Sequence, residues 1–433
     1  MNDDYVSIAL AAERWIDGLK RTTDHGVVWS HSAERPEVLS HTLYNGSAGI
    51  VLFYLELHAA TGQQRFLDVA LAAADDLVAY ADKTQWQSCA IYTGWPGLAF
   101  ALGEVARHSG TQRYALAAAR CLDRLHASAR SLGAGIGWIE PMPFSDIHGF
   151  KGDREIYDAS VGAAGAGFVL LYAARRELHP QALSWATQVG DRLLEVAQQT
   201  DAGLNWALMS DMPFRWNPAN FAHGGAGVGA FMAMLYEATH HQRFLDAAQG
   251  AAAHLMHIAH PAGDGHLVHH HDGDGERLYY LSACHGPPGT TRLFHLLDRI
   301  TGDAKYAQWT AGALRGLLST GAPEHRSDGF WNNVSQCCGD AGVGDYAVNY
   351  YRITNYARYL DLARREAAVL VERSTMIGDG RCWPQAEHRE RPKFTQAQTG
   401  YMQGAAGIGS FFTHLHTTLA GNPVKIAFPD TPF

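Results

Sequence analysis

Positive charge is in short supply here. The 433 residues carry 34 Lys and Arg against 43 Asp and Glu, a formal net charge of -9. That balance argues against nucleic acid as the main partner, which calls for a basic surface. Long apolar runs are also missing. No uninterrupted stretch approaches the roughly 18 residues of a membrane span. The opening MNDDYVSIAL has neither a basic start nor a long apolar core, so it is not read as a signal peptide, and a cytoplasmic location is expected. Cysteine is sparse as well. Six are present, Cys89, Cys121, Cys284, Cys337, Cys338 and Cys382. In a large chain expected in the cytoplasm they point to metal ligands or free thiols rather than a disulfide framework.

What the chain does have is apolar bulk, 47% of its residues, enough for a large buried core. Length alone would allow two or three domains. An internal repeat argues instead for a single domain over residues 1–433. The pattern Gly-x-x-Gly followed by an apolar run occurs at Gly46, Gly94, Gly162, Gly224, Gly286, Gly339 and Gly404, with spacings of 48, 68, 62, 62, 53 and 65. After the apolar run comes a short polar break, then an aromatic residue in five repeats (Phe66, Tyr114, Phe244, Tyr306, Tyr359) and an amphipathic run with apolar residues at i, i+3 and i+4.

The first run of each repeat is apolar nearly all round and predicts a buried inner helix. The second predicts an outer helix with a wet face. Repeat seven lacks a clear outer helix, and YVSIALAAERWIDGL near the start can take that place. The fold expected is therefore all-α, an α/α toroid of seven inner and seven outer helices closed by its first helix. The glycines are expected to supply positive φ and close backbone approach at each crowded helix start. The long irregular segments all precede these turns, so they gather on one face, where function is expected.

The residues just before each turn break the repeat. One place before the first glycine stand Asn45, Thr93, Val161, His223, His285, Cys338 and Gln403. Two places before it stand Tyr44, Tyr92, Ser160, Ala222, Cys284, Cys337 and Met402. Cysteine enters these positions only in the adjacent repeats five and six. Neighbouring helix starts would bring Cys284, Cys337 and Cys338 together, a set that suits Zn²⁺ with an open fourth position. His285 is an alternative ligand. Helix N-termini favour the thiolate form. Cys89, Cys121 and Cys382 are read as structural. The run His269, His270, His271 beside Asp272 is a rival metal site, with a solvated loop as the plainer reading.

The seven turns together with YDASVGAAG, FAHGGAG, SACHGPPG and QCCGDAG resemble the lanthionine cyclase (LanC-like) family, over nearly the whole chain. The resemblance implies an α/α toroid with one zinc that adds peptide cysteine thiols to dehydroalanine or dehydrobutyrine. It implies zinc ligands at Cys284, Cys337 and Cys338, the last often histidine in the family. It also implies a proton donor at His223 and an acidic active-site residue at Asp158. His285 is expected beside them as a polar contact or donor. Two positions depart from the family: Ala283, often tryptophan, and Tyr280, often arginine. The expected partners are a dehydrated precursor peptide and a separate dehydratase. The alternatives are a LanC-like enzyme that adds glutathione or another small thiol, a carbohydrate-active toroid enlisting Asp158 and Asp345, and a non-catalytic zinc scaffold.

Overall fold

The computed structural model describes residues 4–85, 87–141, 152–212, 217–326, 331 and 333–433. Its inner helices begin at the seven turns: α2 (Ser47–Thr61), α4 (Trp95–Ser109), α6 (Ala163–Arg175), α8 (Gly225–Thr239), α10 (Pro287–Thr301), α12 (Asp340–Thr354) and α14 (Ala405–Leu419). The outer helices are α1 (Tyr5–Asp17), α3 (Gln64–Lys83), α5 (Gln112–Ser128), α7 (Ala182–Glu195), α9 (Gln242–Ile258), α11 (Ala304–Ser319) and α13 (Ala357–Glu372). Each inner helix packs on the next and α14 packs on α2, which closes the ring. Helix α1 packs on α14, as the missing seventh outer helix required. The fold is an α/α toroid.

The two helix classes differ as their patterns dictate. Inner helices such as α2 and α8 are buried through their first eleven residues, while outer helices bury one stripe. The aromatics after the polar break, Phe66, Tyr114, Phe244, Tyr306 and Tyr359, are all at most 4% exposed and seal the inner–outer seam. Several inner helices stop on a left-handed residue, Gly62, Gly110, His240, Gly302 or Asn355, which turns the chain sharply into its outer partner.

The turn glycines work differently from expectation. The first glycine of every turn is extended, with φ between -109° and -141°, and none of the fourteen has positive φ. They are required by crowding. A Cβ on the second glycine of any turn would strike the carbonyl oxygen six residues earlier, Phe221 for Gly227 and Tyr401 for Gly407 among them.

The segments between outer helices and turns are more regular than their sequences imply. Seven two-stranded antiparallel hairpins occur among the described residues. Those at Lys20–Trp29, Arg130–Gly137, His260–Leu267 and Thr375–Cys382 directly follow α1, α5, α9 and α13. Trp138, Trp206 and Trp383 each donate an indole N–H to a leucine carbonyl of the preceding outer helix, at 3.0, 2.7 and 2.7 Å. Meanwhile Gly135, Gly203 and Gly265 lie against the backbone of the next outer helix. The hairpins therefore bridge successive outer helices and carry the chain to the face where the inner helices begin.

Candidate functional site

On that face, six backbone hydrogen bonds link the residues two places before the turns. Tyr44 N–H donates to Tyr92 O, Ser160 to Ala222, Ala222 to Cys284, Cys284 to Cys337, Cys337 to Met402 and Met402 to Tyr44, at 2.8–3.1 Å. The repeat thus writes a near-closed circle around the ring axis. All seven of these residues line one small cavity at its centre.

Two of them are Cys284 and Cys337, and Cys338 follows directly. Their sulfurs converge: Cys284 Sγ lies 3.4 Å from Cys338 Sγ, which lies 3.3 Å from Cys337 Sγ. Among the described residues this is the only group of three or more His, Cys, Asp or Glu side chains close enough to hold a metal, all within 4.8 Å. Tetrahedral Zn–S bonds of about 2.3 Å place sulfurs about 3.8 Å apart, so the set fits zinc with a small adjustment. Its chemistry fits too. Hydrogen bonds from Cys284 and Cys338 hold the Cys337 thiol well below its ordinary value. The same close packing drives the Cys284 and Cys338 thiols up. Three sulfurs this close cannot all be anionic without a cation among them.

At the neighbouring position of the circle, His223 Nδ1 lies 2.6 Å from Asp158 Oδ2. Asp158 is 1% exposed, and its other oxygen accepts N–H bonds from Ser160 and Val161 at 3.0 and 2.7 Å. The carboxylate is thus fixed by its own turn and in turn fixes the imidazole, as acidic partners of histidine do. The positive field of His223 also helps hold Cys337 low. His285 is buried against His223, with ring centres 5.2 Å apart. Burial first, then the neighbouring imidazoles, drives its pKa well below the ordinary value, so it is neutral.

The run His269–His271 is not a solvated loop, and no group of three ligating side chains forms there among the described residues. His269 and His271 are buried, and His269 pairs with Asp272 at 3.1 Å. His270 stacks 4.1 Å from His285 and 4.3 Å from Tyr280. The run therefore packs behind the site, where the plainer reading had placed a solvated loop.

Two contributors come from repeats that looked like packing units. Gln403 Nε2 lies 4.0 Å from Cys338 Sγ and 2.9 Å from the Tyr44 hydroxyl, and Asn333 Nδ2 holds the Gln403 carbonyl at 2.9 Å. Burial, then Cys337 and Cys338, pushes the Tyr44 phenol well up, which keeps it a neutral donor beside the sulfurs. Their place in the two positions before each turn was the available signal. Cys89, Cys121 and Cys382 are buried free thiols away from this group.

The lanthionine synthetase C-like protein family matches residues 37–420. The chain belongs to that family. Among solved structures, nisin cyclase is similar with a TM-score of 0.59 at 15% identity, over 90% of each chain. A family 76 α-mannanase from Bacteroides thetaiotaomicron is similar at 0.54 and 12%, over 96% of each chain. A protein from Listeria innocua follows at 0.52 and 12%, over 98% of this chain and 99% of that one. At such identities these show a shared fold alone. No curated protein matches. As a LanC-like chain, this one keeps its two unusual residues in structural use: Tyr280 packs 5.0 Å from Trp331, and the Ala283 carbonyl sits tight against Gly289. No described helix is long and apolar enough to cross a membrane.

Proposed function

We propose that this LanC-like protein is a zinc-dependent lanthionine cyclase acting on a dehydrated peptide. The observation that carries the reading is the pair of devices on one circle, three convergent sulfurs and an Asp158-fixed His223. Cys284, Cys337 and Cys338 would hold one Zn²⁺. Bound there, the metal supplies an acidified fourth position for a substrate thiol.

The residues of the chain do the rest. The substrate cysteine gives up its S–H proton. Its sulfur forms a C–S bond to the β-carbon of dehydroalanine or dehydrobutyrine, and the C=C electron pair moves toward Cα. His223 donates a proton to Cα from Nε2, because Nδ1–H is committed to Asp158. The thiol proton passes to solvent and His223 takes one back from solvent after donating, so the addition is balanced. His285, neutral and beside His223, contacts the substrate. The Gln403 amide and Tyr44 hydroxyl face the sulfurs as donors and offset part of their negative charge. A separate dehydratase supplies the substrate.

A carbohydrate-active reading lacks support, because Asp345 is engaged with His414 at 2.7 Å and does not pair with Asp158. The test is incubation of the zinc-loaded protein with a dehydrated, cysteine-containing peptide, then thiol blocking and mass measurement. Loss of blockable thiols is expected. If every thiol survives while a competent control cyclase consumes them, the reading fails. A parallel arm with glutathione reads out intermolecular addition, the alternative within thiol chemistry.

A further inference from the structure

Beyond Leu419 the chain re-enters the ring from the far end. The Val424 N–H donates to Thr417 Oγ1 at 3.0 Å and the Ile426 N–H to Glu56 Oε1 at 2.8 Å. Lys425 Nζ reaches Asn349 Oδ1 at 3.1 Å. Phe428 packs 5.3 Å from Phe100 and 4.9 Å from Tyr401. The segment tops out at Asp430, 2% exposed, whose Oδ2 accepts from the Tyr92 hydroxyl at 2.7 Å and Arg292 Nη1 at 3.0 Å. A turn, Thr431 N–H to Phe428 O at 3.0 Å, then sends the chain back down. Phe433 packs 5.0 Å from His295 and 5.1 Å from Tyr350. These partners lie on α2, α4, α10, α12 and α14 or in the turns that precede them, so the segment crosses the bore rather than lining one wall.

Two small cavities sit above and below its tip. The upper, ≈ 30 Å³, is the one bounded by Cys284 and Cys337. The lower, ≈ 60 Å³, is bounded by Asp345, Gln336 and Lys425. Tyr92, Arg292 and Asp430 line both, so this cluster is the partition between them. Asp430 Oδ1 is buried with no partner among the described residues. The upper cavity exceeds the roughly 10–15 Å³ that one water needs.

We infer that residues 421–433 form a plug that gives the reaction chamber its floor, and that Asp430, acting through Arg292 and Tyr92, is the residue that positions it. With the floor in place the chamber is blind. It is entered only from the hairpin face, and small solutes do not reach the sulfurs from below. The identity of the reaction above the floor rests on the function proposed above; the floor itself does not.

Hydrogen exchange on the full-length protein, with alkylation of its metal-free cysteines by iodoacetamide, tests this. In the unaltered protein, amides of 424–431 exchange as slowly as those of the inner helices. In Asp430→Ala they exchange about tenfold faster or more, as for a segment released to open on its own. Alkylation of Cys284 and Cys337 rises with them, and inner-helix protection is unchanged. Tyr92→Phe, which removes one hydrogen bond at nearly constant volume, shifts both readings the same way by less. It decides the matter if Asp430→Ala does not fold. Exchange of 424–431 at loop rates in the unaltered protein overturns the plug, as do rates within twofold of the unaltered protein in the folded variants. Peptide conversion by zinc-loaded, unalkylated portions of the same proteins is read separately. Its absence beside the expected exchange pattern counts against the cyclase reading alone, and its presence beside unchanged exchange counts against the plug alone.

Discussion

At 2.6 Å, the Asp158–His223 contact commits Nδ1 to support, and the proposed mechanism works through Nε2. Asp158→Asn keeps the shape but no longer favours a proton on Nδ1. On the proposed mechanism the cyclisation rate falls about 100-fold, within the usual range for general acid–base groups, while zinc content by metal analysis is unchanged. An unchanged rate would remove Asp158 from the mechanism. Cys338 bears on the metal instead. Three protein thiolates and one substrate thiolate give a zinc centre a net charge of about -2, by simple counting of ligand charges; replacing one by neutral histidine gives about -1. Higher negative charge weakens the hold on the attacking sulfur. Cys338→His should therefore keep zinc and cyclise more slowly, and a faster variant across several peptides would refute the charge argument. Cys338 and His223 stood out in the sequence because cysteine and histidine interrupt a repeated position, while Asp158 came only from the family resemblance. Tyr44 and Gln403 occupy the same positions and went unread, since neither type announces chemistry until three sulfurs stand beside it.

Among the elements, inner helices and turns were legible because an all-round apolar run after Gly-x-x-Gly has one physical explanation, a crowded buried start. The reason for the glycines was only half right. Positive φ belongs to the other end, as at Gly62 (φ 68°), where a Cβ would meet nothing within 4 Å. Gly227 has ordinary φ, but a Cβ there would strike Phe221 O and would lie 2.6 Å from Ala159 Cβ. The two sites separate the causes. Gly62→Ala should cost about 1 kcal/mol, the left-handed penalty. Gly227→Ala should cost about 1–3 kcal/mol, as overpacking does, and should also disturb the neighbouring repeat through Ala159. Denaturant midpoints check both, and a Gly227→Ala protein as stable as the parent would contradict the crowding. The hairpins were not legible, because strands of two or three residues are too short to show a period of two. A usable signal was present: Gly-x-x-Trp at Gly26–Trp29, Gly135–Trp138, Gly203–Trp206 and Gly380–Trp383, a glycine for close approach and, in the last three, an indole N–H that grips the helix behind.

For the molecule as a whole, the question is what holds a ring shut. Helix α1 on α14 was foreseeable from an outer helix missing at one end of the chain and spare at the other. The lock inside was not, because it joins residues that are far apart and individually ordinary. His414 on α14 places Nδ1 2.7 Å from Asp345 Oδ1 on α12 and Nε2 2.9 Å from Glu56 Oε1 on α2. Lys425 stands 3.5 Å from Asp345 Oδ2, so the same cluster grips the plug. All three triad members are at most 8% exposed. Burial works against a charged imidazole, but the two carboxylates outweigh it and raise His414 to about 9. A histidine raised above its ordinary value of about 6.5 stabilises the fold fully below that value. The contribution is lost as pH rises through about 9. A shift of this size corresponds to roughly 3 kcal/mol. The melting temperature should therefore fall between pH 7 and 10, and His414→Gln should lower stability at pH 7 while flattening that decline. Breaking one member of a buried ion cluster leaves uncompensated charge behind, so the loss should exceed that of any exposed pair, such as Arg120 with Asp82. If the parent and His414→Gln proteins lose stability in parallel from pH 7 to 10, the triad is not the lock.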